Sequence, residues 1–184
     1  MGKLSRRRKR IVSLTLLVTS SLVSCDSELS DHAVPAKLCG TPVSERLTKP
    51  LLQPDGEVKE WTSAGFRAAG ESSWCVVYVG KQDVLHFNFA AHSGPMNPMT
   101  AAAPDDAVTG LQNPHPIRLA DRAVAAEDGA IATTRCKDRA GADHFTLALK
   151  VTRGRVDEAR TAAIERFMRS YMPATVKSLD CLKK

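Results

Sequence analysis

An α+β domain, with an antiparallel sheet packed by a short N-terminal helix and a longer C-terminal helix, is what this sequence predicts. Three observations carry that reading. Leu85, Phe87 and Phe89 alternate with His86 and Asn88, and Phe145, Leu147, Leu149 and Val151 repeat the pattern. A period of two marks strands with one buried face. Val156, Ala159, Ala163, Ile164, Phe167 and Tyr171 fall instead at helical spacing and define one apolar stripe. A sheet with an apolar face and a helix with an apolar stripe bury each other.

The elements follow in order. Thr41-Pro42 reads as a helix N-cap with proline at the first helical position, after which Val43, Leu47 and Leu51 recur every four residues until Pro50 discourages continuation. Residues 57–62 suit a short strand. Residues 74–79 form a near-continuous apolar and β-branched run, expected as a strand buried on both faces. Gly80-Lys81-Gln82-Asp83 is a turn joining it to the Leu85/Phe87/Phe89 strand in a hairpin. Residues 93–116 hold five of the ten prolines and read as a long loop, mobile or functional. A strand is expected within 117–125, a turn at Glu127-Asp128-Gly129, and a strand over 130–137 that carries Cys136. That last strand pairs with the one containing Phe145 to Val151. Asp157 and Glu158 open the final helix, where negative charge suits the helix dipole. Pro173 should kink or interrupt it, because it removes the bond to the carbonyl of Arg169. Residues 174–182 then form a further helical piece with Cys181.

The N-terminus reads as an address. Lys3, Arg6, Arg7, Arg8, Lys9 and Arg10 precede an apolar run over residues 11–24. Fourteen residues at ~1.5 Å each cover about 21 Å, short of a bilayer core of roughly 30 Å, so a cleaved export signal is expected rather than a membrane span. Leu22-Val23-Ser24-Cys25 closes it as a lipobox, with cleavage before Cys25 and a lipid on its thiol. Ser5-Arg6-Arg7 leaves twin-arginine export open beside the general secretory route, with Lys9 where that motif usually has an apolar residue. Arg6 stands where myristoylation needs Ser or Thr. The predicted organisation is a signal peptide over 1–24, a lipid-anchored tether over 25–37 and one α+β domain over 38–184, held at the extracytoplasmic face of the cell membrane.

Charge follows from that division. The chain has 26 Lys+Arg against 20 Asp+Glu, but the excess lies wholly within residues 1–24. The remainder is electrically balanced and has no basic stripe with interleaved aromatics, which excludes nucleic acid as a partner. Five cysteines are present; with Cys25 assigned to lipid, Cys39, Cys75, Cys136 and Cys181 form an even set with three possible pairings. Outside the cytoplasm disulfides are expected. Cys39–Cys75 with Cys136–Cys181 is the favoured pairing, since each bond would tie a terminal helical region to a strand. Zinc is the rival use, but no Cys-x-x-Cys or Cys/His cluster is present.

Several stretches resemble small actinobacterial lipoproteins of the LpqN type and related lipoproteins of unknown function. These are the lipobox and tether, Leu38-Cys39-Gly40-Thr41-Pro42-Val43-Ser44, Ser73-Trp74-Cys75-Val76-Val77, and Leu119-Ala120-Asp121-Arg122-Ala123-Val124, followed by a hairpin and a terminal helix. The resemblance implies a PsbP-like α+β sandwich, an antiparallel sheet between helical layers, and it strengthens the Cys39–Cys75 pair. It brings no functional residues with it.

The remaining chemistry is sparse. His92, Met96, Met99 and His115 offer imidazole and thioether ligands suited to Cu(I), though Met-x-x-Met is a weak motif. Ser93 beside His92, with Asp105 and Asp106 nearby, lacks the Gly-x-Ser-x-Gly setting of a hydrolase nucleophile. His86 and His144 fall in strands and His32 in the tether, without partners at useful spacing. Asp157 and Glu158 are adjacent, so they point to different parts of a helix surface. No cofactor and no enzymatic activity are expected. The reading is a membrane-anchored binding or interaction module for a protein, an envelope glycan or a small ligand, with the 93–116 loop as its surface. Cu(I) binding and a purely structural envelope role are the alternatives.

Overall fold

A computed structural model describes residues 34–53, 55–63, 72–103, 110–138, 140–179 and 181. The fold is an α+β sandwich built on a seven-stranded antiparallel sheet. Cys25 and the export signal lie outside the described residues.

The described chain starts within the stretch expected as tether. Val34 packs against the core, and β1 (Lys37–Leu38) pairs with β2 (Thr41–Pro42) in a two-residue ladder. Cys39 and Gly40 join them with φ of 49° and 72°. Positive φ at both central positions gives the tight hairpin turn whose twist matches its strands. Thr41-Pro42 therefore does not start a helix, as the sequence suggested. A fixed proline φ suits the edge of a ladder as well as a first helical turn, and here Thr41 Oγ1 meets Thr175 Oγ1 at 3.0 Å in the interior. The helix α1 begins later (Glu45–Thr48), with Ser44 at its N-cap, and tightens into a 3-10 turn over Lys49–Leu51.

The sheet runs β3 (Val58–Thr62), β4 (Ser73–Val79), β5 (Gln82–His92), β9 (His144–Val151), β8 (Gly129–Arg135), β7 (Arg122–Ala126), β6 (His115–Ile117). The chain thus crosses from β5 to the far edge and meanders back until β9 lies against β5. Strand β4 corrects an expectation. Its burial alternates, with Ser73, Cys75, Val77 and Val79 inside while Trp74, Val76 and Tyr78 face outward. An apolar run reports composition, not coverage: β4 is one strand from the edge, and only one of its faces meets the core. Similarly, β8 ends at Arg135, so Cys136 follows the strand instead of sitting in it. Residues 117–125 are divided between the end of β6 and the start of β7.

Helix α3 (Glu158–Ser178) covers the first face. Asp157 caps it, accepting from Arg160 N at 2.9 Å. Phe167 and Tyr171, one turn apart, stack at 4.9 Å, and Tyr171 stacks on Phe87 at the same separation. The Tyr171 hydroxyl donates to Leu38 O at 2.9 Å, so the one polar atom of this buried ring is satisfied. Val156, expected in the apolar stripe, lies before the helix and is exposed. Pro173 does not interrupt α3, and residues 174–178, expected in a further helical piece, belong to the same helix. Pro173 and Arg169 are both on the exposed side, where the carbonyl left without its helical bond is open to solvent. On the inner side Tyr171, Met172 and Thr175 are buried, so packing on the core continues through the turn that holds the proline. Among the described residues no helix is long and apolar enough to cross a membrane.

Both disulfides are formed. Cys39–Cys75 ties the β1–β2 turn to β4, and Cys136–Cys181 ties the end of β8 to the residue beyond α3. The second face is covered over β7 and β8 by α2 (Pro98–Ala101), with Ala102, Leu111, Val124, Ala126, Ile131 and Ala148 packed together. Much of the predicted 93–116 loop is therefore attached to the sheet, and its last residues form β6. Buried Asp128 secures this region, accepting from Gln112 N at 2.9 Å and pairing with Lys150 Nζ at 2.7 Å.

The disulfides close separations of 36 and 45 residues. Loop entropy grows only logarithmically, so replacing either pair by serine should lower the unfolding free energy by a similar amount, about 4 kcal/mol. Urea titration of the two double variants measures this. Gly129 has no room for a side chain, since a Cβ would fall 2.2 Å from Leu149 O and 2.7 Å from Leu111 Cδ2. Gly129→Ala should cost roughly 1–3 kcal/mol by the same titration.

Candidate functional site

Burial of one side of β4 turns the other side outward. Trp74, Val76 and Tyr78 lie on the second sheet face, beyond the reach of α2. The pairing places Trp61 of β3 opposite Val76, with His86 of β5 next across, and Trp74 opposite Asn88. The two indoles meet edge to face, 5.2 Å apart at 82°. Trp61 is 63% exposed and Trp74 38%, whereas Phe87, Phe89, Phe145, Phe167 and Tyr171 are all buried. Exposed tryptophan beside exposed tryptophan is the most unusual surface among the described residues. Indoles concentrate where one side of a contact is apolar and the rim is polar.

Hydrogen-bonding capacity accompanies the rings. Neither indole N–H, nor the half-buried Tyr78 hydroxyl, nor the half-buried Asn88 amide makes a hydrogen bond to another described residue. The charges at the margin are paired: Lys59 with Glu57 at 2.8 Å, and His86 Nε2 with Asp83 at 2.9 Å, which Arg153 also approaches at 3.3 Å. Partial burial works to raise the Asp83 carboxyl, but hydrogen bonds from His86 and Arg153 outweigh it and hold the group below its usual range. The surface is an aromatic platform with an uncharged floor. It can bind by stacking and neutral hydrogen bonds.

Strand β3 is also a sheet edge. Glu57 and Ser63 bond to β4, so by alternation the backbone groups of Val58, Glu60 and Thr62 point away from it. Lys59 and Glu57 supply the charge that discourages indiscriminate strand pairing at such an edge.

At the opposite end of β5 the rings of His92 and His144 stack at 5.8 Å. His92 Nδ1 meets Gly94 O at 2.9 Å and its Nε2 meets Thr146 Oγ1 at 2.8 Å. With both nitrogens engaged, His92 is no base for Ser93 in this arrangement. Asp143 Oδ1 accepts from Gly94 N at 2.7 Å and bonds His144 Nδ1 at 2.7 Å. Those two bonds, the histidine first, hold the Asp143 carboxyl below its usual range. The cluster acts as a clip on the chain leaving β5.

The copper set is not brought together. His115 is in β6, four strand spacings (about 19 Å) from β5. It faces α3, with Nε2 3.3 Å from Glu165 Oε1. Met96 is half-buried and Met99 is exposed on α2. Cys39, Glu60 and Cys75 do lie within 4.8 Å of one another. The cysteines are joined, however, so no thiolate is available, and Glu60 Oε1 accepts from Cys39 N at 2.9 Å. Asp157 is used as the α3 cap. Asp105, Asp106, His32 and Cys25 lie outside the described residues. Trp61, Tyr78 and Asn88 did not stand out in the sequence; alternation was the available signal, but it needed to be known which face was covered.

No protein-family model, no curated protein and no solved structure matches this chain.

A depressed carboxylate in the folded state means that unfolding takes up a proton as acid is approached. The Asp143 contribution is fully present above the unfolded carboxylate range and is lost as pH falls through the lowered folded value. The difference in unfolding free energy between wild type and Asp143→Asn should therefore shrink between about pH 7 and about pH 3. Urea midpoints across that range test it.

Proposed function

We propose that the chain is an extracytoplasmic lipoprotein, anchored to the cell membrane through Cys25, whose uncovered sheet face at Trp61 and Trp74 is a binding surface. The observation that carries the second half is the placement of both tryptophans of the chain, solvent-exposed and in mutual contact, on a face that α2 leaves bare. Indoles left in water are costly unless something covers them in use; tryptophan is also the residue most enriched among energetically dominant contacts.

The anchor rests on the Leu22-Val23-Ser24-Cys25 motif behind its basic and apolar segments. Two disulfides accord with an oxidising compartment. Kinship with LpqN-type lipoproteins is supported by the quoted motifs together with the Cys39–Cys75 bond, and a PsbP-like assignment by an antiparallel sheet with helices on both faces. A non-enzymatic role fits the site, whose residues recognise rather than react.

Intact mass of the membrane-extracted protein should show loss of residues 1–24, a lipid adduct on Cys25 and two disulfides. The detergent-solubilised protein should bind a washed envelope fraction. Trp61→Ala/Trp74→Ala should reduce that binding about tenfold or more, as expected for loss of at least 1.4 kcal/mol, without shifting the thermal midpoint downward. Retention of residues 1–24 would refute the anchor. Unchanged envelope binding by the double variant would refute the surface.

A further inference from the structure

Resting on the reading of this face as the binding surface, we infer that its ligand is an uncharged pyranose unit of a glycan, stacked on Trp61 and Trp74. A pyranose has an apolar face of C–H groups and a rim of hydroxyls. It requires flat apolar rings beside hydrogen-bonding groups that are uncharged and not already committed.

The face combines these features. Two indoles in edge-to-face contact leave ring surface open to solvent, most of it on Trp61. Around them the two indole N–H donors, the Tyr78 hydroxyl and the Asn88 amide have no partner among the described residues. The Asn88 amide can donate and accept at once, as a sugar hydroxyl does. Being half-buried, it gains from a hydroxyl that replaces its water.

Charge selects among ligands. Lys59 pairs with Glu57, and Asp83 is shared between His86 and Arg153. The described cations on the strands around the rings, Lys59 and Lys150, are each paired with a carboxylate, which disfavours phosphate or sulfate as the ligand. An extended peptide would instead use the outward backbone groups of Val58, Glu60 and Thr62 and would leave the Asn88 amide unused. A glycan uses the rings and the amide together.

The chain provides its own reporter, because its two tryptophans are both in this surface. The intact protein in detergent is titrated, following tryptophan emission, with cellohexaose, maltohexaose, mannohexaose and the neutral polysaccharide fraction of the host envelope. The expected result is a saturable emission change with at least one probe, insensitive to salt between about 0.05 and 0.5 M. Asn88→Ala should weaken it several-fold, and Trp61→Ala about tenfold or more by calorimetry, with the thermal midpoint retained. No saturable change with any probe overturns the inference, as does binding that salt abolishes or that Trp61→Ala and Asn88→Ala leave intact. If envelope binding depends on Trp61 and Trp74 while every glycan fails, the surface stands and the sugar assignment falls.

Discussion

The seating of α3 on one face of the sheet is the contact on which everything else depends. Phe167 and Tyr171 present a continuous ring surface to Phe87, and the Tyr171 hydroxyl reaches across to Leu38 O. The helix is held at three further points. Arg160 donates to Val151 O and Gly154 O near its start, Thr175 meets Thr41 within its last turns, and Cys181 is bonded to Cys136 beyond its end. Burial pushes the Arg160 guanidinium downward in pKa against the opposing influence of Asp128 and Asp157. Its engagement with two carbonyls explains why a charged group accepts that position.

With α3, β1 and β2 gathered on the first face, the described residues that cover the second face are α2 and its flanks. They are enough for β7, β8 and the near part of β9, where the side chains are small: Val124, Ala126, Ile131 and Ala148. They do not extend over β3 and β4. The large residues there are left exposed, Trp61 and Trp74, or half-buried, Tyr78, and that part of the sheet is what the proposed binding role uses. The clip of His92, His144 and Asp143 directs the chain from β5 towards α2, so it helps determine where coverage stops.

Legibility differed by element for physical reasons. The strands at Leu85 to Phe89 and Phe145 to Val151 were readable because each has one wet face, and wetness shows as alternation. Strand β4 misled because Trp74, Val76 and Tyr78 are apolar yet turned outward. Pro173 misled because the rule about lost hydrogen bonds ignores whether the orphaned carbonyl meets water. Thr41-Pro42 satisfied a helix-start pattern but was claimed by the tight β1–β2 hairpin, whose turn at Cys39-Gly40 the helix pattern does not read. The candidate metal ligands failed on distance, since His92 and His115 are close in the chain but separated by the crossover from β5 to the far sheet edge.

Sequence by itself determined the α+β class, the main hairpins, the final helix and the balance of charge outside residues 1–24, because periodicity and composition are local properties. Only the tertiary structure decided which sheet face is dry, that Cys39 meets Cys75 and Cys136 meets Cys181, and that Trp61, Trp74, Tyr78 and Asn88 share one surface. Those facts depend on strand order and on which helix covers which face, and residues distant in the chain become neighbours only once that order is set.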